Sequence, residues 1–471
     1  MRPLFKNVLD KIPDYQCFLT PAELDASSRA LAEEYPEQVE VFTMGKTRSG
    51  QDLLCLKIGQ GSRNALMFGC PHPNEPIGTM LLEFFSRELV ENQALREDLD
   101  YSWYIVKAWD RDGLELNEGW LKGPFNASNY SRHFFRPAGH QQVDWTYPVD
   151  YKELHFHRTL PETQAMMDLI DQIQPEFIFS LHNSGFGGVY WYVTHKLVDE
   201  TYAAMRQLAA EQEIPLHLGE PELPYLKELA PAVYSFLNIK ADYDYLEEFK
   251  VENIGQVLNV GDCTASYALE KCNAFTLLTE LPYFYSAQIS DQRPSDRLRR
   301  DVVLEALAEA EAGNRYKRDL LEKTRDLVAA DNPYRLALEA FSKDAGLEAA
   351  RQQAMEDPDF QRPATLAETF DSLDLQPFYQ SLSYGMAISM LERELEQMDP
   401  AEQASSDKAR ALKELIVYTS EEHRKLTEQV EQKLDYQVIP IQKLIRIQLG
   451  CGLLVCDFIR EHRQELEPLA N

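Results

Sequence analysis

The first two thirds of the chain alternate short apolar runs with longer amphipathic segments. The apolar runs are residues 38–44, 52–58, 65–70, 101–109, 177–181, 189–194 and 274–279. Several are continuously apolar, which is typical of strands covered by helices on both faces. Segments 21–34, 77–97 and 161–173 have the composition of helices. This order predicts an α/β fold with a mixed, mostly parallel open sheet flanked by helices.

From about residue 296 the pattern becomes helical. Five segments are rich in Ala, Leu, Glu, Lys, Arg and Gln and poor in strand signals: 296–330, 333–356, 378–398, 405–434 and 440–466. Residues 437–458 are apolar enough to form a buried helix, with Pro440 in its first turn. We therefore predict an α/β domain over residues 1–330 and an all-helical C-terminal domain over residues 331–471.

The composition excludes several classes of protein. The chain has 471 residues, of which 44% are hydrophobic and 26% charged, and this is ordinary for a globular protein. The formal charge of −30 makes nucleic acid and membrane surfaces poor partners. The N-terminus lacks the apolar core of a signal peptide, and the seven cysteines form no CxxC pair. We therefore expect a cytoplasmic protein with reduced thiols, whose metal ligands would be His and carboxylates.

Four apolar runs end in residues that can carry chemistry. In chain order, these residues are His72 with Glu75, Asp110 with Asp112, His182, and Glu280. In open α/β sheets ligands bind outside the carboxyl ends of the strands, so these side chains could share one crevice. Two imidazoles and a carboxylate can bind Zn²⁺ and leave a position open. By contrast, His155 and His157 lack a neighbouring carboxylate or Cys pattern, which favours a structural or rim role.

Five motifs occur in a characteristic order: GCPHPNEPIGT, DRDGLELNEGW, NYSRHFF, FSLHNS and LLTELP. With them the chain resembles the zinc metallocarboxypeptidase family, the carboxypeptidase A-like peptidases, over roughly residues 15–310. The resemblance implies that one Zn²⁺ is bound by His72, Glu75 and His182. It also implies that Glu280 is the general base and proton shuttle. The helical tail lies outside the resemblance, so we expect a divergent member with an extra C-terminal region.

The residues that would contact substrate depart from the family's pattern. Where the family has an Asn-Arg pair for the substrate carboxylate, this chain has Ser131 and Arg132, with Arg136 as a nearby substitute. Lys122 is the candidate for the role of the family's oxyanion-stabilising Arg, although a lysine cannot make a bidentate contact. For the family's mobile tyrosine, four alternatives stay open: Tyr243, Tyr245, Tyr267 and Tyr283.

These observations together predict zinc-dependent hydrolysis of a peptide or related amide, with removal of a C-terminal residue. One alternative is an N-acyl amino acid deacylase resembling the aspartoacylase branch, and cell-wall peptides are a further amide substrate. Another is a non-catalytic zinc-binding scaffold protein, although a structural zinc site has no use for a general base such as Glu280. The expected partners are a peptide or acylated amino acid substrate, and a second copy or another protein at the helical region.

Overall fold

The computed structural model describes residues 1–223, 225–344, 346–463 and 466–469. The strands are β1 (Val39–Lys46), β2 (Asp52–Ile58), β3 (Arg63–Gly69), β4 (Tyr101–Val106), β5 (Val149–Tyr151), β6 (Leu154–Phe156), β7 (Phe177–His182), β8 (Tyr190–Val193), β9 (Glu228–Ala230), β10 (Val233–Ser235), β11 (Phe275–Glu280), β12 (Phe284–Tyr285), β13 (Pro294–Leu298), β14 (Pro363–Thr365) and β15 (Gln437–Val438).

The helices up to residue 272 are α1 (Pro3–Asp10), α2 (Pro21–Glu34), α3 (Ile77–Glu91), α4 (Gln93–Leu99), α5 (Arg111–Glu115), α6 (Glu118–Leu121), α7 (Ala127–Arg132), α8 (Pro161–Ile173), α9 (Asp199–Glu211), α10 (Ile239–Glu248), α11 (Ile254–Leu258) and α12 (Thr264–Cys272). Those after it are α13 (Arg299–Lys323), α14 (Pro333–Ala340), α15 (Leu347–Glu356), α16 (Leu366–Thr369), α17 (Gln376–Gln397), α18 (Pro400–Ser405), α19 (Asp407–Lys433) and α20 (Ile441–His462). Short 3₁₀ turns lie at Gly139–Gln141, Val143–Trp145, Ala287–Ser290 and Pro358–Gln361, and Phe370–Asp374 forms a π-helical turn.

Nine of the described strands form one sheet in the order β1-β2-β4-β3-β7-β11-β8-β10-β9. The central strands β4, β3, β7 and β11 run parallel to their neighbours within that group, and β8 also pairs in parallel with β10. Antiparallel pairs join β1 to β2, β2 to β4, β11 to β8 and β10 to β9. The prediction of a mixed sheet with a mostly parallel core, flanked by helices, is confirmed.

Helices cover both faces of the sheet, which explains why the central strands are continuously apolar. Along β7, Phe177 and Phe179 belong to one hydrophobic core and Ile178 to another, as the alternation of side chains requires. Helices α3 and α20 contact β7 on the first side, whereas α8 contributes the second core. The predicted buried helix at 437–458 is therefore α20, and the sheet itself is what it packs against.

The helical C-terminal region, by which we mean α13 to α20, contacts the α/β part at several further points. Helix α17 packs on α7 and on α19, and α13 packs on α14, α15 and α17.

The predicted helix at 77–97 is two helices, since the Asn92 side chain accepts a hydrogen bond from the Leu95 amide and starts α4. The predicted segment at 333–356 is likewise two helices, α14 and α15. The division of the chain at residue 330 stays a prediction.

The described residues contain no helix that is both long and apolar enough to cross a bilayer. All seven cysteines are free, and most of them are buried. Burial raises the pKa of the Cys55 thiol to about 12 and that of Cys70 well above its ordinary value. These thiols are therefore protonated and unreactive near neutral pH.

The contact of α20 with the sheet predicts opposite effects of one substitution at two helical glycines. A Cβ at Gly452 would overlap the Phe179 ring, whereas a Cβ at Gly313 in α13 meets nothing within 4 Å. Gly452→Ala should therefore lower the free energy of unfolding by about 1–3 kcal/mol. Gly313→Ala should raise it by about 0.5–1 kcal/mol, because alanine has the higher helix propensity. Denaturant unfolding of both variants measures this, and stabilisation by both would contradict the packing of α20 on β7.

Candidate active site

Three neighbouring parallel strands deliver the candidate residues to one edge of the sheet. His182 is the last residue of β7 and Glu280 is the last residue of β11, and the register pairs these two residues directly. On the other side of β7, Gly69 ends β3 and pairs with Leu181. The loop after β3 carries His72 and Glu75 to the same place. The convergence expected from the sequence is therefore present for these four candidate residues, whereas Asp110 instead accepts hydrogen bonds from Arg48 and the Gly113 amide, and Asp112 accepts one from Ser49.

His72, Glu75 and His182 form a compact, buried group. The Nδ1 atom of His72 lies 3.0 Å from Oε1 of Glu75, and Nδ1 of His182 lies 3.0 Å from Oε2 of the same carboxylate. One ligand atom from each residue can be chosen so that all lie within 4.8 Å of one another. The two imidazole rings meet edge to face with their centroids 4.9 Å apart.

The protonation states of His72 and Glu75 fit a divalent metal. Burial and the nearby Arg136 guanidinium lower the pKa of His72 to about 3, so its imidazole is neutral. Burial alone would raise the pKa of Glu75, but the imidazoles of His72 and His182 hold it below its ordinary value. The buried Nδ1 atom of His182 makes no hydrogen bond to the described residues. Neutral imidazoles and a carboxylate are the donors that a catalytic Zn²⁺ site uses, so the residues fit zinc.

Hydrogen bonds from outside the group hold its side chains in place. The Nε2 atom of His182 lies 2.8 Å from the Ser180 hydroxyl, so the opposite nitrogen faces Glu75. The backbone amide of Asn183 donates to Oε2 of Glu75 at 3.2 Å. The Tyr283 hydroxyl donates to the carbonyl oxygen of Asn74 at 2.9 Å, beside Glu75.

Gln448, in the C-terminal helix α20, also supports the group and was missed in the sequence. Its buried side-chain amide donates to the His182 carbonyl at 3.3 Å and to the Thr279 hydroxyl at 2.9 Å. Thr279 directly precedes Glu280, so one side chain contacts the ends of both β7 and β11. A polar residue inside the apolar segment 437–458 was the available signal, because a buried amide needs partners.

Glu280 is a buried carboxyl beside the group. Its Oε1 atom lies 3.7 Å from Nδ1 of His182, and its buried Oε2 atom makes no hydrogen bond to the described residues. Burial raises its pKa well above the ordinary value, and the charges of Glu75 and Glu222 raise it further. Such a carboxyl binds a proton more tightly than a surface glutamate, which suits a group that accepts and returns a proton.

The group opens into a cavity of about 770 Å³, which we call the central cavity. Its walls include the tyrosines of β8 and the loop that contains His217, Glu220 and Glu222. The helical C-terminal region supplies a further wall. Its contributions are Ala306 and Leu307 of α13, Asp371 and Ser372 of the π-helical turn, and Gln376, Tyr379 and Leu382 of α17. The helical region is therefore part of the cavity that the metal-binding group faces.

The two candidate arginines have different surroundings. Arg136 lines the central cavity, and its Nη1 atom donates to Oε1 of Glu75 at 3.0 Å. The Arg132 guanidinium instead pairs with the carboxylate of Glu392 in α17, at 2.6 and 2.7 Å, and lies outside the described cavity lining. Its neighbour Ser131 is buried and hydrogen-bonds with His423 at 2.8 Å.

The remaining candidates also lie outside the described cavity lining. The Lys122 ammonium donates to the Phe18 carbonyl at 2.9 Å and to Glu23 at 2.6 Å. Tyr283 borders a separate apolar cavity of about 340 Å³ and supports the loop of Glu75, as described above. The other three alternatives for the mobile tyrosine, Tyr243, Tyr245 and Tyr267, are not among the described residues that line the central cavity. Five tyrosines that the sequence analysis did not consider do line it: Tyr130, Tyr190, Tyr192, Tyr234 and Tyr379. The exposed pair His155 and His157 bonds only to Asp150 among described side chains.

Comparisons with known proteins give the following matches. The family model described as zinc carboxypeptidase matches residues 24–222. Carboxypeptidase D of Drosophila melanogaster is 23% identical over 186 residues, which are 36% of this chain and 13% of that protein. The chain thus spans only a small part of this curated relative.

Solved structures of similar proteins include carboxypeptidase A from Helicoverpa armigera, at 15% identity and a TM-score of 0.38 over 59% of this chain and 71% of that chain. A metallo-carboxypeptidase from Burkholderia cenocepacia matches at 13% identity and a TM-score of 0.32, over 71% of this chain and 69% of that chain.

The geometry predicts that metal content depends on His72 and not on the exposed His155. Loss of an outer hydrogen-bond partner typically weakens metal binding about 10–100-fold, so loss of a ligand in His72→Ala should exceed about 100-fold. His155→Ala should bind Zn²⁺ as the unchanged protein does, because His155 is exposed and is not part of the group of His72, Glu75 and His182. Zinc titration with elemental analysis measures both variants. Equal zinc affinity in the two variants would contradict the assignment of the group.

Proposed function

We propose that the protein is a zinc-dependent hydrolase of peptide or related amide bonds, and the match of residues 24–222 to the zinc carboxypeptidase family model supports this. It removes the C-terminal residue of a short peptide and uses a single Zn²⁺. The observation that carries the proposal is the position of Glu280, a buried carboxyl that lines the central cavity 3.7 Å from Nδ1 of His182.

The proposed reaction assigns a role to each side chain of the group. His72, Glu75 and His182 hold the metal, and Zn²⁺ bound there would act as a Lewis acid that lowers the pKa of a water molecule. Glu280 accepts a proton from the water that attacks the amide carbonyl. The same carboxyl then gives the proton to the departing amine. The raised pKa of Glu280 supports the second step, because a weak acid holds the proton until the amine takes it.

We assign the substrate's carboxylate to Arg136. Among the described residues that line the central cavity, Arg136 is the only lysine or arginine. A guanidinium can donate two parallel hydrogen bonds to a carboxylate. The sequence-based roles of Lys122, Ser131 and Arg132 stay outside the proposal, because each has its partners elsewhere.

The helical wall of the cavity also supports the second candidate, an N-acyl amino acid deacylase. Helices α13 and α17 wall the cavity, so a small substrate with one amide and one carboxylate would fit as well as a peptide end. A non-catalytic scaffold role has less support. In a scaffold protein, the buried Glu280 carboxyl would cost electrostatic free energy and would have no catalytic role.

Glu280→Gln should abolish hydrolysis while the zinc content stays unchanged. The substrates are a pool of short peptides, N-acyl amino acids and cell-wall peptides, analysed by mass spectrometry with and without a zinc chelator. We expect kcat to fall about 10²–10⁴-fold, because proton transfer by a positioned group contributes that much. The control is Glu200→Gln, which changes an exposed carboxylate at the start of α9. Unchanged, chelator-sensitive hydrolysis in Glu280→Gln would refute the assigned base.

A matched pair of arginine variants tests the assignment of the substrate carboxylate. Arg136→Ala should lower kcat/KM about 10–100-fold for a substrate with a free C-terminal carboxylate, because a hydrogen bond between charged groups is lost. Arg132→Ala should leave kcat/KM within about threefold, because that guanidinium pairs with Glu392. Zinc content is measured in both variants, since Arg136 also touches Glu75. A larger loss in Arg132→Ala would reverse the assignment.

A further inference from the structure

One wall of the central cavity combines three tyrosines with a carboxylate that has no cationic partner among the described residues. The tyrosines are Tyr190 and Tyr192 of β8 and Tyr234 of β10, and the carboxylate is Glu222. We propose that this wall binds a primary ammonium group of the substrate, with Glu222 as its counter-ion. The proposal rests on the proposed function in that the ligand is the substrate of the same cavity.

The sheet places the three aromatic rings side by side. Tyr190 and Tyr192 are two residues apart on β8, so their side chains lie on the same face. Strand β10 pairs in parallel with β8, and the register puts Tyr234 next to Tyr192. The ring centroids are 5.8 Å apart for Tyr190 and Tyr192, and 5.9 Å apart for Tyr192 and Tyr234. The result is a continuous aromatic surface that borders the cavity.

Two hydroxyl groups on this surface have no hydrogen-bond partner among the described residues. Tyr190 is 9% exposed and Tyr234 is 8% exposed, and neither hydroxyl makes a hydrogen bond to the described residues. The Tyr192 hydroxyl donates to Oε2 of Glu222 at 2.7 Å. Both residues line the central cavity, so their hydroxyl groups are available to a polar group of a ligand.

Glu222 differs from the neighbouring acids in having no cationic partner among the described residues. Glu220 pairs with the Arg299 guanidinium at 2.5 Å, and Asp371 lies 3.3 Å from Nε2 of His217. Glu222 receives only the neutral Tyr192 hydroxyl, and its side chain is open to the cavity. Its charge is therefore available to a cation that enters the cavity.

A primary ammonium group matches these features better than a neutral or anionic group. It has three N–H donors and no acceptor, which suits a carboxylate and the oxygen atoms of tyrosines. Aromatic ring faces also attract a cation within about 6 Å of the centroid. An anion would meet the charge of Glu222, and a neutral methyl group would leave the carboxylate unpaired. With Arg136 in the same cavity, the substrate class is a short molecule that carries both a carboxylate and an ammonium group.

The ammonium group could come from the side chain of a lysine-like residue or from the N-terminus of a short peptide. The first measurement is calorimetric binding of two molecules without an amide bond, 6-aminohexanoate and hexanoate, to the zinc-loaded protein. We expect 6-aminohexanoate to bind about tenfold more tightly, which is the effect of one cation–carboxylate contact with an aromatic surface. In Glu222→Gln, which still accepts the Tyr192 hydrogen bond, the preference should fall below about twofold. Glu200→Gln should retain it.

The second measurement identifies the source of the ammonium group. An N-acetylated peptide ending in lysine and a free peptide ending in norleucine are each compared with the N-acetylated peptide ending in norleucine. A higher kcat/KM for the first assigns the side chain, and a higher kcat/KM for the second assigns the N-terminus. Equal binding of 6-aminohexanoate and hexanoate, or an unchanged preference in Glu222→Gln, would overturn the proposal. Because the binding assay needs no turnover, failure to hydrolyse any peptide would refute the proposed function alone.

Discussion

The candidate site depends on the in-register parallel pairing of β3, β7 and β11. The register sets His182 beside Glu280, and β3 on the other side of β7 delivers the loop of His72 and Glu75. A shift of one residue would turn each strand's side chains to the opposite face. Every residue of β7 and β11 is buried, so such a shift would exchange the two hydrophobic cores. The apolar packing of the strands thus fixes the geometry of the polar residues at their ends.

The same buried setting makes the charges of the site interdependent. Glu75, Asp144 and Glu280 are buried carboxyls in one cavity, and burial raises the pKa of both Asp144 and Glu280. Carboxylates this close are unfavourable unless a cation lies among them. Arg136 supplies one positive charge, through its contact with Glu75. A divalent metal held by His72, Glu75 and His182 would supply the rest.

The sequence predicted seven of the nine described strands of the main sheet, the helices at 21–34 and 161–173, and the candidate residues His72, Glu75, His182 and Glu280, because these follow from local pattern. It could not distinguish Arg132 from Arg136, because the partner of Arg132 is Glu392, which lies 260 residues away in α17. Helix α17 lies so close to α7 that a Cβ at Gly385 would overlap the Ser131 carbonyl. This close packing brings Glu392 to Arg132 and leaves Arg136 in the cavity. The contribution of Gln448 was hidden for the same reason, as its partners are 169 and 266 residues away.

The helical C-terminal region therefore forms part of the candidate site. Helix α20 contacts the ends of β7 and β11 through Gln448, α17 packs against α7, and the π-helical turn brings Asp371 to His217. An exopeptidase that acts on large proteins needs an open cleft to admit a chain end. Our proposal of a short substrate rests on the cavity of about 770 Å³, one wall of which the chain's own helices form. In that proposal, selectivity comes from charged groups at fixed positions along the cavity.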